Sequence, residues 1–448
     1  MGGADLITDT LEVPREASGS DAPQTPGMVV IFTGKGPACQ PIPLDNGPVF
    51  LGRANEDGVV HIDDSGISRR HVRVERVQWG VQITDLDSRN GTFVDGQRIT
   101  RERIFTQPRV VRIGRTVLQL VRDIAPFVRG KMRVAGATHI GPSMARVHER
   151  IAEAASEGDS MLFIGPSGTG KEVCAKTFHA ASGRTGSLVA VNCATIPSGL
   201  AERLLFGTKR GAYSGANTDA SGYVEAAEGG TLFLDEVAEL DEGVQAKLLR
   251  ALETHEIFPL GATRPRKIDV LLCAATLKDL RVEINAGRFR EDLYYRLARP
   301  EVRIPPLSER LEELASLVCD ELTALRDGLA PTAAFVEACA LLPWPGNIRE
   351  LKFEVREAGR AALADGRMLV EVRDLPESAG KGVAAPAPPA AAEPPPRERV
   401  EEVLRREHGN VSASARALGW HRNQLRRWLS RHGVDAASYR EEETVSEE

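Results

Sequence analysis

Met161-Leu162-Phe163-Ile164-Gly165-Pro166-Ser167-Gly168-Thr169-Gly170-Lys171-Glu172 is an apolar strand that runs into a glycine-rich turn and out into a helical segment, Glu172 to His179. Glycines at 165, 168 and 170 let successive backbone N–H groups converge on phosphate oxygens. The helix that follows adds a favourable dipole, and Lys171 has the reach for β- and γ-phosphates. A strand, a Gly-x4-Gly-Lys loop and a helix in that order predict a P-loop in an α/β domain with a parallel sheet buried on both faces. The expected ATP cradle is Gly165, Pro166, Ser167, Gly168, Thr169, Gly170, Lys171 and Glu172, the last standing where Ser or Thr is usual.

A second strand, Leu232-Phe233-Leu234, ends in Asp235-Glu236. Ligands of open α/β sheets bind at the carboxyl ends of strands, so Asp235 is placed to hold Mg2+ and Glu236 to polarise an attacking water. Charge developing on the γ-phosphate needs cations, and Arg290, Arg296 and Arg349 are the candidates. Between the two acidic and glycine-rich motifs lies Gly211-Ala212-Tyr213-Ser214-Gly215-Ala216. Its terminal glycines permit a sharp excursion, while an aromatic ring and a hydroxyl offer contact surface and a hydrogen-bond handle.

The 448-residue chain is too long for one core. A net charge of -6 confines any polyanion contact to a local patch. Cys39, Cys174, Cys193, Cys273, Cys319 and Cys339 show no metal or disulfide spacing and read as buried thiols of a reducing compartment. No apolar run approaches the roughly 18 residues of a membrane span, so the cytoplasm is expected.

Short segments such as Met28-Val29-Val30-Ile31-Phe32, Val72-Arg73-Val74 and Val117-Leu118-Gln119-Leu120-Val121, separated by Gly, Asp and Asn turns, predict an all-β sandwich ahead of the α/β domain. Its loops carry Arg53, Ser68, Arg69, Arg89 and Asn90, which together can bond a phosphate and a peptide backbone. From Pro306 helical periodicity takes over, and residues 379–396 are an Ala/Pro linker. Beyond it, Asn410 to Leu429 predict two short helices broken at Gly419, with Arg422, Asn423, Gln424, Arg426 and Arg427 on the second. Such side chains read base edges and phosphates in a major groove.

Taken in order, the P-loop with Glu after Lys, Val191-Asn192-Cys193, Gly211 to Ala216, Leu232 to Glu236, Phe289-Arg290-Glu291-Asp292-Leu293-Tyr294-Tyr295-Arg296 and Trp344-Pro345-Gly346-Asn347-Ile348-Arg349-Glu350-Leu351 resemble the AAA+ domain of bacterial enhancer-binding proteins, activators of sigma-54 RNA polymerase. Leu51-Gly52-Arg53, Ser68-Arg69-Arg70-His71 and Asp85 to Gly96 resemble the forkhead-associated (FHA) domain, a phosphothreonine reader in which His71 would be mainly a scaffold residue. The C-terminal segment is similar to the Fis-type helix-turn-helix.

The resemblances imply a multidomain chain: a tail (1–25), an FHA-like sandwich (26–122), an ATPase of α/β part (138–305) and helical lid (306–378), the linker, a small all-α helix-turn-helix (397–434) and an acidic tail (435–448). They imply that Arg290 and Arg296 reach a neighbour's nucleotide in a homo-oligomer ranging from dimer to hexameric ring. Arg349 would be the lid sensor, Asn192 would hold Glu236, and Gly211 to Ala216 would touch sigma-54. The implied partners are the sigma-54 holoenzyme, upstream DNA, and a phosphothreonine protein or a phosphorylated segment of the same chain, with no membrane. Leu277 and Leu271 stand where Asn and Arg are common, which keeps open a second reading: a phosphothreonine-regulated DNA-binding scaffold or repressor with a weak or uncoupled ATPase.

Overall fold

The computed structural model describes residues 25–45, 47–135, 138–197, 199–212, 218–382, 397–418, 425, 428–429, 432 and 434–439. Contacts divide the chain into two compact units, Met1–Gly382 and Val383–Glu448.

The N-terminal part is the expected β-sandwich. One sheet has six strands, in the order Gly36–Pro43, Gly27–Thr33, Thr116–Val121, Val110–Ile113, Thr92–Val94, Gln97–Ile99. The other has five, in the order Val59–His61, Val49–Gly52, Val72–Val77, Gly80–Asp85, Arg103–Phe105. Strand Gly27–Thr33 departs from the alternation of a half-solvated sheet, because Met28 through Phe32 are all buried. Met28 and Val30 join the sandwich interior with Leu51, Val72 and Leu118. Val29, Ile31 and Phe32 enter a second cluster shared with Leu311, Leu314, Val318, Phe335 and Val336 of the lid. Sandwich and lid thus share one apolar core, across the boundary that composition places between them.

The α/β domain holds a five-stranded sheet ordered Leu188–Asn192, Thr231–Asp235, Leu271–Thr276, Met161–Ile164, Glu301–Arg303, parallel throughout. Its near-continuous apolar strands serve two faces. Leu162, Leu232, Leu234 and Ala274 pack on one side; Phe163, Phe233, Leu271 and Cys273 pack on the other.

The lid starts later than periodicity suggests. Pro305-Pro306 and the non-helical backbone of Arg310 (φ −140°, ψ 49°) break the segment into two 3-10 turns, Leu307–Glu309 and Leu311–Glu313. The first true helix is Leu314–Leu325, followed by Ala333–Leu341, N-capped by the Thr332 hydroxyl, and Asn347–Ala364. The six cysteines are free. Among the described residues no helix is long and apolar enough to cross a membrane.

Candidate functional site

A cavity of about 440 Å³ opens at the carboxyl ends of the central strands. It brings together Ser167 to Glu172 of the glycine-rich loop, Asn192, Asp235, Glu236, and Arg349 from the lid. Gly168 and Gly170 have φ of +75° and +97°, a left-handed backbone open to glycine at little cost. Lys171 is 7% exposed; its Nζ donates to the carbonyls of Gly165 (3.0 Å) and Pro166 (3.3 Å) and lies 3.8 Å from Glu236 Oε1. Arg349 Nη1 donates to Ser167 Oγ at 3.2 Å. Glu172 forms an exposed i,i+4 pair with Lys176. Burial pushes the Cys174 and Cys193 thiols up to about 12, so these neighbours stay protonated and are not nucleophiles.

Glu236 sits at φ +53°, a conformation uncommon outside glycine and frequent at functional sites. Its Oε2 accepts the main-chain N–H of Leu277 at 3.1 Å. Asn192 lines the same cavity as Glu236, but among the described residues no hydrogen bond joins the two. Asn192 Oδ1 accepts from Ala194 N at 3.0 Å, capping the 3-10 turn Cys193–Thr195. Leu277 is 53% exposed, and what this position supplies to Glu236 is its backbone amide. Leu271 is a core residue, 5% exposed.

Arg290 and Arg296 lie outside this cavity. Arg290 forks onto Asp292 (3.0 and 2.7 Å), and Arg296 donates to the Leu252 carbonyl at 3.1 Å. The hexapeptide is described only at Gly211 and Ala212; Tyr213, Ser214, Gly215 and Ala216 fall outside the described residues. Its stems are fixed. Thr208 exchanges backbone hydrogen bonds with Ala220, Lys209 N donates to Leu260 O, and Lys209 pairs with Asp219 at 2.6 Å.

In the sandwich, three loops are stitched at one end. Arg53 N donates to Ser68 O (3.0 Å), Arg89 N to Ser68 Oγ (3.2 Å), and Asn90 Nδ2 to Gly66 O (2.6 Å), so Arg53, Ser68, Arg69, Arg89 and Asn90 are gathered. Gly52 is required there, since a Cβ would lie 1.9 Å from the Arg69 carbonyl oxygen. His71 is fully buried. Its Nδ1 accepts from Ser68 N and its Nε2 meets Gly91 O, which assigns the proton to Nε2. Burial holds its pKa below the ordinary histidine value. Buried beneath the loops, it braces them through Ser68 and Gly91.

In the C-terminal unit, Arg397–Arg406 and Val411–Ala417 are helices closed over Val400, Leu404, Ala415, Leu425 and Leu429. Asn410 Oδ1 caps the second helix through the N–H groups of Ser412 and Ala413. Arg422, Asn423, Gln424, Arg426 and Arg427 lie outside the described residues.

Residues that carry no motif join the sandwich to the lid. Arg112 of the sandwich pairs with buried Glu337 of the lid, and Arg109 donates to the carbonyls of Leu341 (3.0 Å) and Ala340 (3.1 Å) at the end of the same helix. Isolated charges in a sandwich strand and a lid helix give no local signal of pairing. The one clue was the unbroken apolar run at Met28 to Phe32.

Comparison with known proteins adds to this geometry. Residues 138–303 match the family model described as the sigma-54 interaction domain, 49–117 that of the FHA domain, and 397–432 that of the bacterial regulatory protein, Fis family. The chain is 36% identical over 404 residues to the hydrogenase transcriptional regulatory protein HoxA of Bradyrhizobium diazoefficiens, covering 85% of this chain and 80% of that protein. It is 32% identical over 404 residues to the transcriptional regulatory protein GlrR of Escherichia coli, covering 87% and 90%. Among solved structures it is similar to NtrX from Brucella abortus in complex with ATP, with a TM-score of 0.50, 32% identity, and 67% and 70% of the two chains covered.

Proposed function

This chain belongs to the sigma-54-dependent transcriptional regulators, and from that premise we propose that it activates transcription by ATP-driven remodelling of the sigma-54 RNA polymerase closed complex. A phosphothreonine signal at the FHA loops would govern it, and the C-terminal module would anchor it to upstream DNA.

The observation that supports hydrolysis is the setting of Glu236. Its carboxylate stands at the strand end facing the phosphate loop, fixed by the Leu277 N–H and beside Lys171. A carboxylate held in place is poised to orient an attacking water, while Lys171 and Arg349 meet the negative charge of the phosphates. Asp235 gives one oxygen to the Glu236 N–H (3.1 Å), and its other oxygen takes no protein hydrogen bond among the described residues. That donor set fits Mg2+, which needs few carboxylates when it also takes phosphate oxygens and waters. Bound there, the ion would supply charge neutralisation at the β- and γ-oxygens. Arg290 and Arg296, being outside their own subunit's cavity, are assigned to a neighbour's nucleotide, which makes the site complete only in an oligomer. The hexapeptide, between stems fixed by Thr208, Lys209 and Asp219, is assigned to sigma-54 contact.

Mixing two inactive variants, Glu236→Gln and Arg290→Ala, tests the shared site. Hydrolysis that reappears in the mixture supports arginines acting in trans. A mixture as inactive as its parts contradicts it, and a wild-type protein that binds ATP without turnover favours the scaffold or repressor reading.

A further inference from the structure

Three successive carbonyls of the phosphate loop are each taken by a donor from the lid. Asn347 Nδ2 donates to Ser167 O at 2.9 Å, Ile348 N to Gly168 O at 3.0 Å, and Arg310 Nη2 to Thr169 O. In a trans peptide the C=O of one residue and the N–H of the next point in opposite directions. Fixing these carbonyls toward the lid therefore turns the N–H groups of Gly168, Thr169 and Gly170 away from it. No protein acceptor takes those N–H groups among the described residues. The lid also presses close at this point: a Cβ on Gly168 would sit 2.1 Å from the Gly346 carbonyl oxygen.

Asn347 is the centre of this contact. It is 3% exposed, its φ is +53°, and its Oδ1 accepts the Leu307 N–H at 2.9 Å while Nδ2 holds the loop. One side chain so joins the loop, the base of the lid and the start of helix Asn347–Ala364. Asparagine suits both demands, since it tolerates the left-handed backbone and offers an acceptor and a donor on one planar group.

We propose that Asn347 is a positioning residue of the nucleotide site, setting the Ser167–Gly168 peptide so that its N–H meets a phosphate, with Ile348 N–H and Arg310 doing the same for the next two peptides. The inference rests on the nucleotide reading above and assigns the lid a part in phosphate binding beyond the Arg349 guanidinium. The effect falls on nucleotides that carry a β-phosphate and spares those that do not.

The test uses the full chain and titrates ADP and AMP into wild type, Asn347→Asp and Asn347→Gly. Aspartate keeps shape, backbone tolerance and the acceptor for Leu307 N–H, but puts an oxygen against Ser167 O; glycine removes the bonds to Ser167 and Leu307, together with the longer one to Pro345 O (3.3 Å), and keeps φ. ADP affinity is expected to fall about ten-fold, the loss of one charge-assisted hydrogen bond, with AMP affinity within about two-fold, both titrated below the lowered melting temperature of the folded variants. Equal losses for ADP and AMP, or wild-type ADP affinity in a folded variant, overturn the proposal. Amide hydrogen exchange on the wild type needs no variant: ADP should protect Gly168, Thr169 and Gly170, and unprotected amides in the ADP complex also overturn it. Failure of wild type to bind ADP at all instead removes the nucleotide reading itself.

Discussion

Replacing Glu337 with glutamine or alanine is expected to unseat the sandwich from the lid. Glu337 is 3% exposed on helix Ala333–Leu341, yet its side-chain partners come from the sandwich: the Arg112 guanidinium and the Gly96 N–H at 3.2 Å. Arg112 is itself mostly covered, its side chain 16% exposed and lying 3.8 Å over the Phe93 ring. Removing one partner of a buried ion pair costs about 3–5 kcal/mol because it strands the other charge. Arg112 retains some access to water and keeps its stack on Phe93, which lowers the expected loss to about 2 kcal/mol. The assay is urea unfolding of wild type, Glu337→Gln, Arg112→Met and the double variant. Because Val29, Ile31 and Phe32 share one core with Leu314 and Phe335, sandwich and lid should unfold together in wild type. The double-variant cycle should show a coupling of about 1–2 kcal/mol between the two sites. Single effects that add to within about 0.5 kcal/mol, or a sandwich that unfolds independently in wild type, would refute a seated sandwich. The same seat is a physical connection by which phosphopeptide binding at the loops near Arg53 would bias the lid, provided the seated and unseated states bind the peptide differently.

Other expectations follow from single contacts. Leu277→Ala should leave turnover within about two-fold, as for other exposed side chains. Leu277→Pro, which deletes the N–H that holds Glu236, should lower it roughly 10- to 100-fold, and equal turnover in the two would remove this contact from the mechanism. Gly52→Ala drives a methyl into the Arg69 carbonyl and should abolish phosphothreonine-peptide binding with about 2 kcal/mol or more of destabilisation, read by calorimetry and melting; normal peptide binding would contradict the loop geometry. Burial lowers the His71 pKa in the folded state, so between that value and the unfolded value of 6.5 the unfolded chain binds more protons. Sandwich stability should therefore be full above about pH 6.5 and decline as pH falls below it. His71→Gln should flatten that decline in a pH series of melting curves, and an unchanged pH profile would show that another group carries it.

The parts of this molecule that were legible in the sequence are those encoded locally. A glycine-rich turn after Met161–Ile164 and a carboxylate pair after Leu234 each specify a backbone event within a few residues, and the structure brings Lys171, Asp235, Glu236 and Arg349 to one cavity. Contacts between distant segments were not legible. Nothing near Arg112 announces Glu337, and nothing near Asn347 announces Ser167, because each partner lies far along the chain and the pairing is set by how the lid docks. The absence of an asparagine at Leu277 pointed to a missing contact, whereas a main-chain amide makes one with Glu236 irrespective of the side chain. Asn192 shows the converse: its residue type fits a carboxylate holder, yet the side-chain contact it makes is with its own neighbouring turn, through Oδ1, and not with Glu236.

Promoter opening decides whether the nucleotide site drives transcription. Permanganate reactivity of unpaired thymines on a sigma-54 promoter, with holoenzyme and this protein, should rise with ATP and stay at background with a non-hydrolysable analogue or with Glu236→Gln. Opening of equal extent without hydrolysis, or with Glu236→Gln and ATP, would contradict an ATP-driven activator.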